Sequence, residues 1–139
     1  MLRHVVVSRI IFRTKRATVT TQSLPNAELA VMELLWREGR LTARQILDQL
    51  YPDVARPQHG TVQRLLQRLR AKGLVVRTRD LGVNVFAPAI TREDYASEQL
   101  ESLANRLTQG SLVPMITRLV EDNKLTRAEI DKLRRILGE

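Results

Sequence analysis

The chain has 139 residues, 43% hydrophobic, 27% charged and 4% aromatic, with a formal net charge of +8. That length holds one domain, or one domain with an appendage, and the composition suits a soluble protein with an aliphatic, mostly helical core. There is no cysteine, and His4 and His59 are the only histidines, which excludes disulfides, thiolate metal sites and a cysteine nucleophile and leaves almost no room for a His-based triad or metal centre.

Residues 1–22 read as a basic N-terminal extension. Two short apolar patches, Val5–Val7 and Ile10–Phe12, are split by Arg9, and Arg13, Lys15 and Arg16 follow. A secretory signal needs an unbroken apolar stretch and a small-residue cleavage site, and neither is present. No run in the chain approaches the roughly 20 apolar residues of a membrane span, so the expected location is the cytoplasm. The extension is either a mobile tail, or an artefact of start-codon choice, or a basic arm that adds phosphate contacts.

Residues 25–38 carry Leu29, Met32, Leu35 and Trp36 at helical spacing, with Pro25 suited to the first turn and Gly39 as the stop. Met32 and Trp36 on this stripe are what a core requires. Thr42-Ala43-Arg44-Gln45 has the form of a capping box and opens a second helix with Ile46, Leu47 and Leu50 on its buried face. Pro52 and Pro57 bracket a connection that cannot continue it. A third helix is predicted from about Gln58 to Lys72. Val62, Leu65, Leu66 and Leu69 follow the i, i+3, i+4, i+7 pattern. Arg64, Gln67, Arg68 and Ala71 fall on the far side, flanked by Thr61 and Gln63.

Gly73 stops that helix. Leu74–Arg79 alternates toward a strand, Asp80-Leu81-Gly82 turns, and Val83–Ala87 returns before Pro88. The order helix, helix, helix, hairpin defines a mainly α fold with a small β-hairpin wing: a winged helix-turn-helix domain over residues 23–90. Residues 91–139 form a C-terminal helical region. Its predicted helices are Arg92–Leu107, Ser111–Asp122 with Pro114 tolerated in the first turn, and a last one opened by the capping box Thr126-Arg127-Ala128-Glu129. Their stripes use Leu103, Leu107, Leu112, Ile116, Leu119, Ile130, Leu133 and Leu137. Three short helices bury such stripes either by dimerising or by folding back on the first domain, and dimerisation is the preferred expectation.

The charge is unevenly placed. Residues 1–23 contribute +5, residues 24–90 contribute +4 and residues 91–139 contribute −1. Between Val54 and Arg79 there are seven Arg and Lys and no Asp or Glu. A solvated helix face normally mixes signs, whereas a surface pressed against phosphates excludes carboxylates. Nucleic acid, here double-stranded DNA, is the expected partner; the alternative is that the charge only keeps the protein soluble.

At these residues the sequence resembles a known family. Glu28-x-x-Val31-Met32-x-x-x-Trp36, Thr42-x-x-x-Ile46 and Thr61-Val62-x-x-Leu65-Leu66-x-Arg68-Leu69-x-x-Lys72-Gly73-Leu74 look like the penicillinase-repressor (BlaI/MecI/CopY) family. Phe86-x-Pro88 stands where that family usually has Tyr-x-Pro, and Leu125-Thr126-x-x-Glu129-Ile130-x-x-Leu133 also matches. The resemblance covers about residues 24–137. It implies a winged-helix transcriptional repressor that binds an inverted repeat as a homodimer through its C-terminal helices. It further implies a membrane-bound sensor metallopeptidase as partner, with the scissile pair aligning approximately with Ser102-Leu103. The family's copper-responsive branch loads C-terminal cysteines, which this chain lacks. Gly82-Val83 stands where the family often has Gly-Arg after the wing turn.

If the third helix enters a major groove, Thr61, Gln63, Arg64 and Gln67 are the base-reading candidates, because Arg bonds guanine and Gln bonds adenine bidentately. Arg56, His59, Arg68, Arg77 and Arg79 are the phosphate candidates. Arg68 is equally suited to bridging helices, and His59 to an exposed loop. The rival reading is an architectural DNA binder without sequence preference. A winged-helix protein–protein adaptor is a further rival, against which the carboxylate-free stretch argues. An enzyme is the weakest rival: the sequence shows no nucleophile–base pair, no metal-ligand cluster and no glycine-rich phosphate loop. No cofactor is expected.

Overall fold

A computed structural model describes residues 23–53 and 59–138 of the chain. The basic extension of residues 1–22 and Pro57 lie outside the described residues. In chain order the elements are α1 (Asn26–Glu38), β1 (Leu41–Thr42), α2 (Ala43–Leu50), α3 (His59–Ala71), β2 (Val75–Asp80), β3 (Val83–Pro88), α4 (Arg92–Leu107), α5 (Val113–Glu121) and α6 (Arg127–Ile136). The chain divides into two compact units between Gln99 and Leu100. The first turns of α4 stay with the first unit because Ile90 and Tyr95 are buried in its core.

Local chemistry sets the helix ends. Pro25 stands at the N-cap of α1, just outside the helix. Gly39 ends α1 at φ +90°, a left-handed conformation that glycine adopts without steric cost, and its N–H donates to the Leu35 carbonyl at 2.7 Å. At α2 the capping box forms in full. The Thr42 hydroxyl accepts from the Gln45 N–H at 3.1 Å, and the Gln45 amide oxygen accepts from the Thr42 N–H at 2.8 Å. Thr126 and Glu129 repeat the arrangement at α6. There the bonds from the Thr126 backbone and hydroxyl hold the Glu129 carboxyl below its ordinary range.

The core of the first unit is built from stripes. Val31, Met32 and Leu35 of α1 meet Ile46 and Leu47 of α2 and Val62, Leu65, Leu66 and Leu69 of α3. Leu74, Val75 and Phe86 close it from the hairpin side. The sheet order is β1-β3-β2, antiparallel throughout. β1 was not anticipated: two residues are too few for alternation to register. It forms because Leu41 is buried, which brings it opposite Phe86, with Thr42 opposite Val85.

Four polar ties join distant segments. The Trp36 indole N–H donates to the Ile90 carbonyl at 2.9 Å. Arg92 spans the same region, 2.6 Å from Glu33 and 5.1 Å from the Trp36 ring centre. The Tyr95 hydroxyl accepts from the Leu24 N–H at 3.1 Å, and burial pushes its pKa up. The fourth tie is the deepest. Glu28, only 2% exposed, lies 2.5 Å from the Lys72 ammonium at the end of α3. A buried carboxylate requires such a partner.

That asymmetry of burial generates a prediction. Lys72→Met strands the Glu28 charge and should lower the unfolding free energy by about 2–3 kcal/mol, below the full buried-pair value because the lysine is partly solvated. Glu28→Gln leaves no stranded buried charge and should cost less. Urea unfolding of both variants checks this; equal losses would contradict it.

Candidate nucleic-acid interface

The apolar stripe of α3 decides what the helix shows outside. With Val62, Leu65, Leu66 and Leu69 buried, Gln63, Arg64, Gln67, Arg68 and Arg70 are exposed. Thr61 is half-buried and already engaged within the protein. Among the described residues no carboxylate comes within 4.0 Å of Arg64, Arg68 or Arg70, whereas Arg37, Arg44 and Arg92 all have one. Arg68 therefore makes no helix-bridging ion pair among them and stays outward. Arg70 extends the same surface and was not singled out from sequence; its place in the carboxylate-free stretch was the available signal.

The hairpin sorts its side chains by alternation. Arg77 stands opposite Phe86 and Arg79 opposite Asn84, so these four share one face. Val76, opposite Ala87, and Thr78, opposite Val85, take the other. The first face meets the core at Phe86 and continues outward as a cationic strip. Arg77 and Arg79 are both exposed, again with no carboxylate in reach among the described residues. Two left-handed residues, Leu81 at φ +50° and Gly82 at φ +81°, make the turn.

Between the starts of α2 and α3 and this face of the hairpin lies an open cleft of about 400 Å³. Thr42, Arg44, His59, Gln63, Arg79 and Asn84 supply its polar lining. His59 is exposed in the first turn of α3. The α2 N-terminus adds backbone N–H groups and the positive end of its dipole, a combination that suits an anion. The cleft gathers the predicted His59, Gln63 and Arg79. It adds Thr42, Arg44 and Asn84, which sequence reasoning missed, because only the fold brings three separate segments together. Arg56 lies outside the described residues.

In the second unit, α5 and α6 contain no buried residue. Leu107, Ile116, Leu119, Leu133 and Leu137 are exposed, and Leu103, Leu112 and Ile130 are half-buried. Ser102 and Leu103 lie inside α4, both half-buried, and Ser102 is engaged within the protein. Proteases favour exposed loop tips, so cleavage at this pair would require α4 to unwind locally. Among the described residues no three His, Asp or Glu side chains gather as a metal site, and no helix is long and apolar enough to cross a membrane.

Three helices, a β-hairpin wing and a short third strand define a winged helix-turn-helix protein. Residues 24–139 match the penicillinase repressor family, and the chain belongs to that family of transcriptional repressors, which are not enzymes. It is 29% identical to the penicillinase repressor of Bacillus licheniformis over 116 residues, covering 84% of this chain and 90% of that one. It is 35% identical to the transcriptional regulator BlaI of Mycobacterium tuberculosis over 120 residues, covering 84% and 83%. Among solved structures, the YusO protein of Bacillus subtilis aligns at a TM-score of 0.46 and 19% identity, over 99% of this chain and 88% of that one.

The cap whose Thr42 lines the cleft can be tested alone. Thr42→Ala removes the acceptor for the Gln45 N–H and should lower stability by about 1 kcal/mol. An unchanged denaturation midpoint would contradict this role.

Proposed function

We propose that this protein is a sequence-specific transcriptional repressor, acting in the cytoplasm as a homodimer on an inverted-repeat operator. The observation that carries the reading is the outer face of α3. It presents Gln63, Arg64 and Gln67 beside exposed arginines that have no ion-pair partner among the described residues. Family membership supports the same reading.

In this account α3 lies in the major groove. Arg64 bonds a guanine edge and Gln63 and Gln67 bond adenine edges, each good bidentate pair discriminating by about 1–3 kcal/mol. Thr61, at the first turns of the helix, supports the readers at the groove edge. The phosphate backbone runs along the cleft, over the α2 N-terminus and between His59 and Arg79. Arg68, Arg77 and, on the connection before α3, Arg56 add phosphate contacts that set position without reading sequence. Repression follows from occluding a promoter.

The dimer follows from the second unit. Leu103, Leu107, Leu112, Ile116, Leu119, Ile130, Leu133 and Leu137 form the proposed contact, because α5 and α6 alone bury none of their residues. Two-fold pairing then places two α3 helices on half-sites about 34–36 Å apart, or a multiple of that. A membrane-bound sensor metallopeptidase acting at Ser102-Leu103 is the release step that the family resemblance suggests.

Two experiments test these claims. On a duplex enriched by the protein from a random-sequence pool, Arg64→Ala should weaken binding by about tenfold or more relative to its effect on random DNA. Arg79→Ala should weaken both similarly and reduce the salt slope by about 1. Equal losses for Arg64→Ala on both DNAs would remove its base-reading role and favour the architectural alternative. For assembly, replacing Leu133 and Leu137 by Glu should give monomers in sedimentation with weakened operator binding. A wild type that is monomeric at micromolar concentration would refute the interface.

A further inference from the structure

The hairpin tip holds a residue that the fold does not use. Leu81 is 98% exposed, the largest exposure among the large apolar side chains described. It is the first of the two turn residues, at φ +50°. A two-residue turn with both residues left-handed ordinarily takes Asn, Asp or Gly at this place. Leucine there brings its Cβ against its own backbone and leaves an isobutyl group in water. Both effects disfavour the free protein, and no core contact offsets them. A strained, solvent-facing apolar residue at a tip points to a contact made outside the chain.

The surroundings specify that contact. Arg77 and Arg79 precede the tip on β2, with no carboxylate in reach among the described residues. The nearby Asp80 is 3.9 Å from Arg40, which offsets its charge. A cationic strand leading to an apolar tip, Leu81 with the exposed Val83 after it, complements a DNA minor groove. The guanidinium groups follow one phosphate wall and the tip reaches the sugars and the floor. The floor at an A·T pair carries acceptors only, while G·C adds a protruding amino donor. That donor against a leucine would lose its water and gain no partner. A·T-rich grooves are also narrow and more negative, which suits the arginines before the tip.

We infer that Leu81 is a specificity-determining residue: its side chain enters the minor groove next to the segment read by α3 and selects A·T pairs there. The inference rests on the DNA-binding reading above and adds a second, independent source of sequence preference at a groove that α3 does not enter.

The test uses the full-length protein and a duplex it enriches from a random-sequence pool. Hydroxyl-radical footprints of the wild type and Leu81→Asn are compared, because asparagine suits the left-handed turn and keeps the fold. The sugars protected only by the wild type locate the tip. An A·T pair there is then changed to G·C or to inosine·C, which keeps the A·T minor-groove pattern but not the major-groove one. The wild type should lose about tenfold in affinity on G·C and stay within about twofold on inosine·C. Leu81→Asn should bind the enriched duplex about tenfold more weakly and treat the three pairs alike. Unchanged affinity and footprint for Leu81→Asn would overturn the wing role while leaving the operator reading intact, as would equal losses on G·C and inosine·C. Failure to enrich any sequence would overturn the operator reading, and this inference with it.

Discussion

The burial of one stripe on α3 is the constraint from which the rest follows. Val62, Leu65, Leu66 and Leu69 pack against α1 and α2. Helical geometry then forces Gln63, Arg64 and Gln67 outward, since residues on one helix cannot all face the core. Rotating the helix to hide its arginines would expose four apolar side chains, each worth roughly 1.5–3 kcal/mol of burial. The chemistry of the outer face is therefore held in place by the hydrophobic effect on the inner one. The Glu28–Lys72 pair fastens the far end of the same helix.

The hairpin obeys the same logic in a different period. Phe86 must be buried, so alternation carries Arg77 and Arg79 on its side of the ribbon. The short pairing of Leu41 and Thr42 with β3 anchors the ribbon beside the N-terminus of α2. Three segments far apart in sequence thus contribute to one polar cleft. None of them carries a site by itself.

What was legible in the sequence was what periodicity and local hydrogen bonding control. The α3 stripe, both capping boxes, the Gly39 stop and the turn read at Asp80-Leu81-Gly82, of which the structure keeps Asp80 in β2, are legible because each depends on residues within one or two turns of each other. What was not legible depends on long-range contact. β1 has two residues and no pattern. Glu28 reads as an ordinary surface acid until Lys72 is brought to it by packing. Tyr95 looks like one more point on the α4 stripe, yet it belongs to the core of the first unit with Ile90. Arg44 and Asn84 enter the cleft only through the fold. The exposed leucines of α5 and α6 were visible as stripes, and a single chain leaves them largely in water.

The central claim is that the carboxylate-free face of α3 recognises a particular DNA sequence. The most direct test is fluorescence anisotropy of the full-length protein on two labelled duplexes, the DNA upstream of its own gene and a shuffled copy, at about 150 mM salt. The account predicts binding to the native DNA tighter by about 10³-fold or more. Equal affinity for the two duplexes, falling steeply with salt, would contradict it.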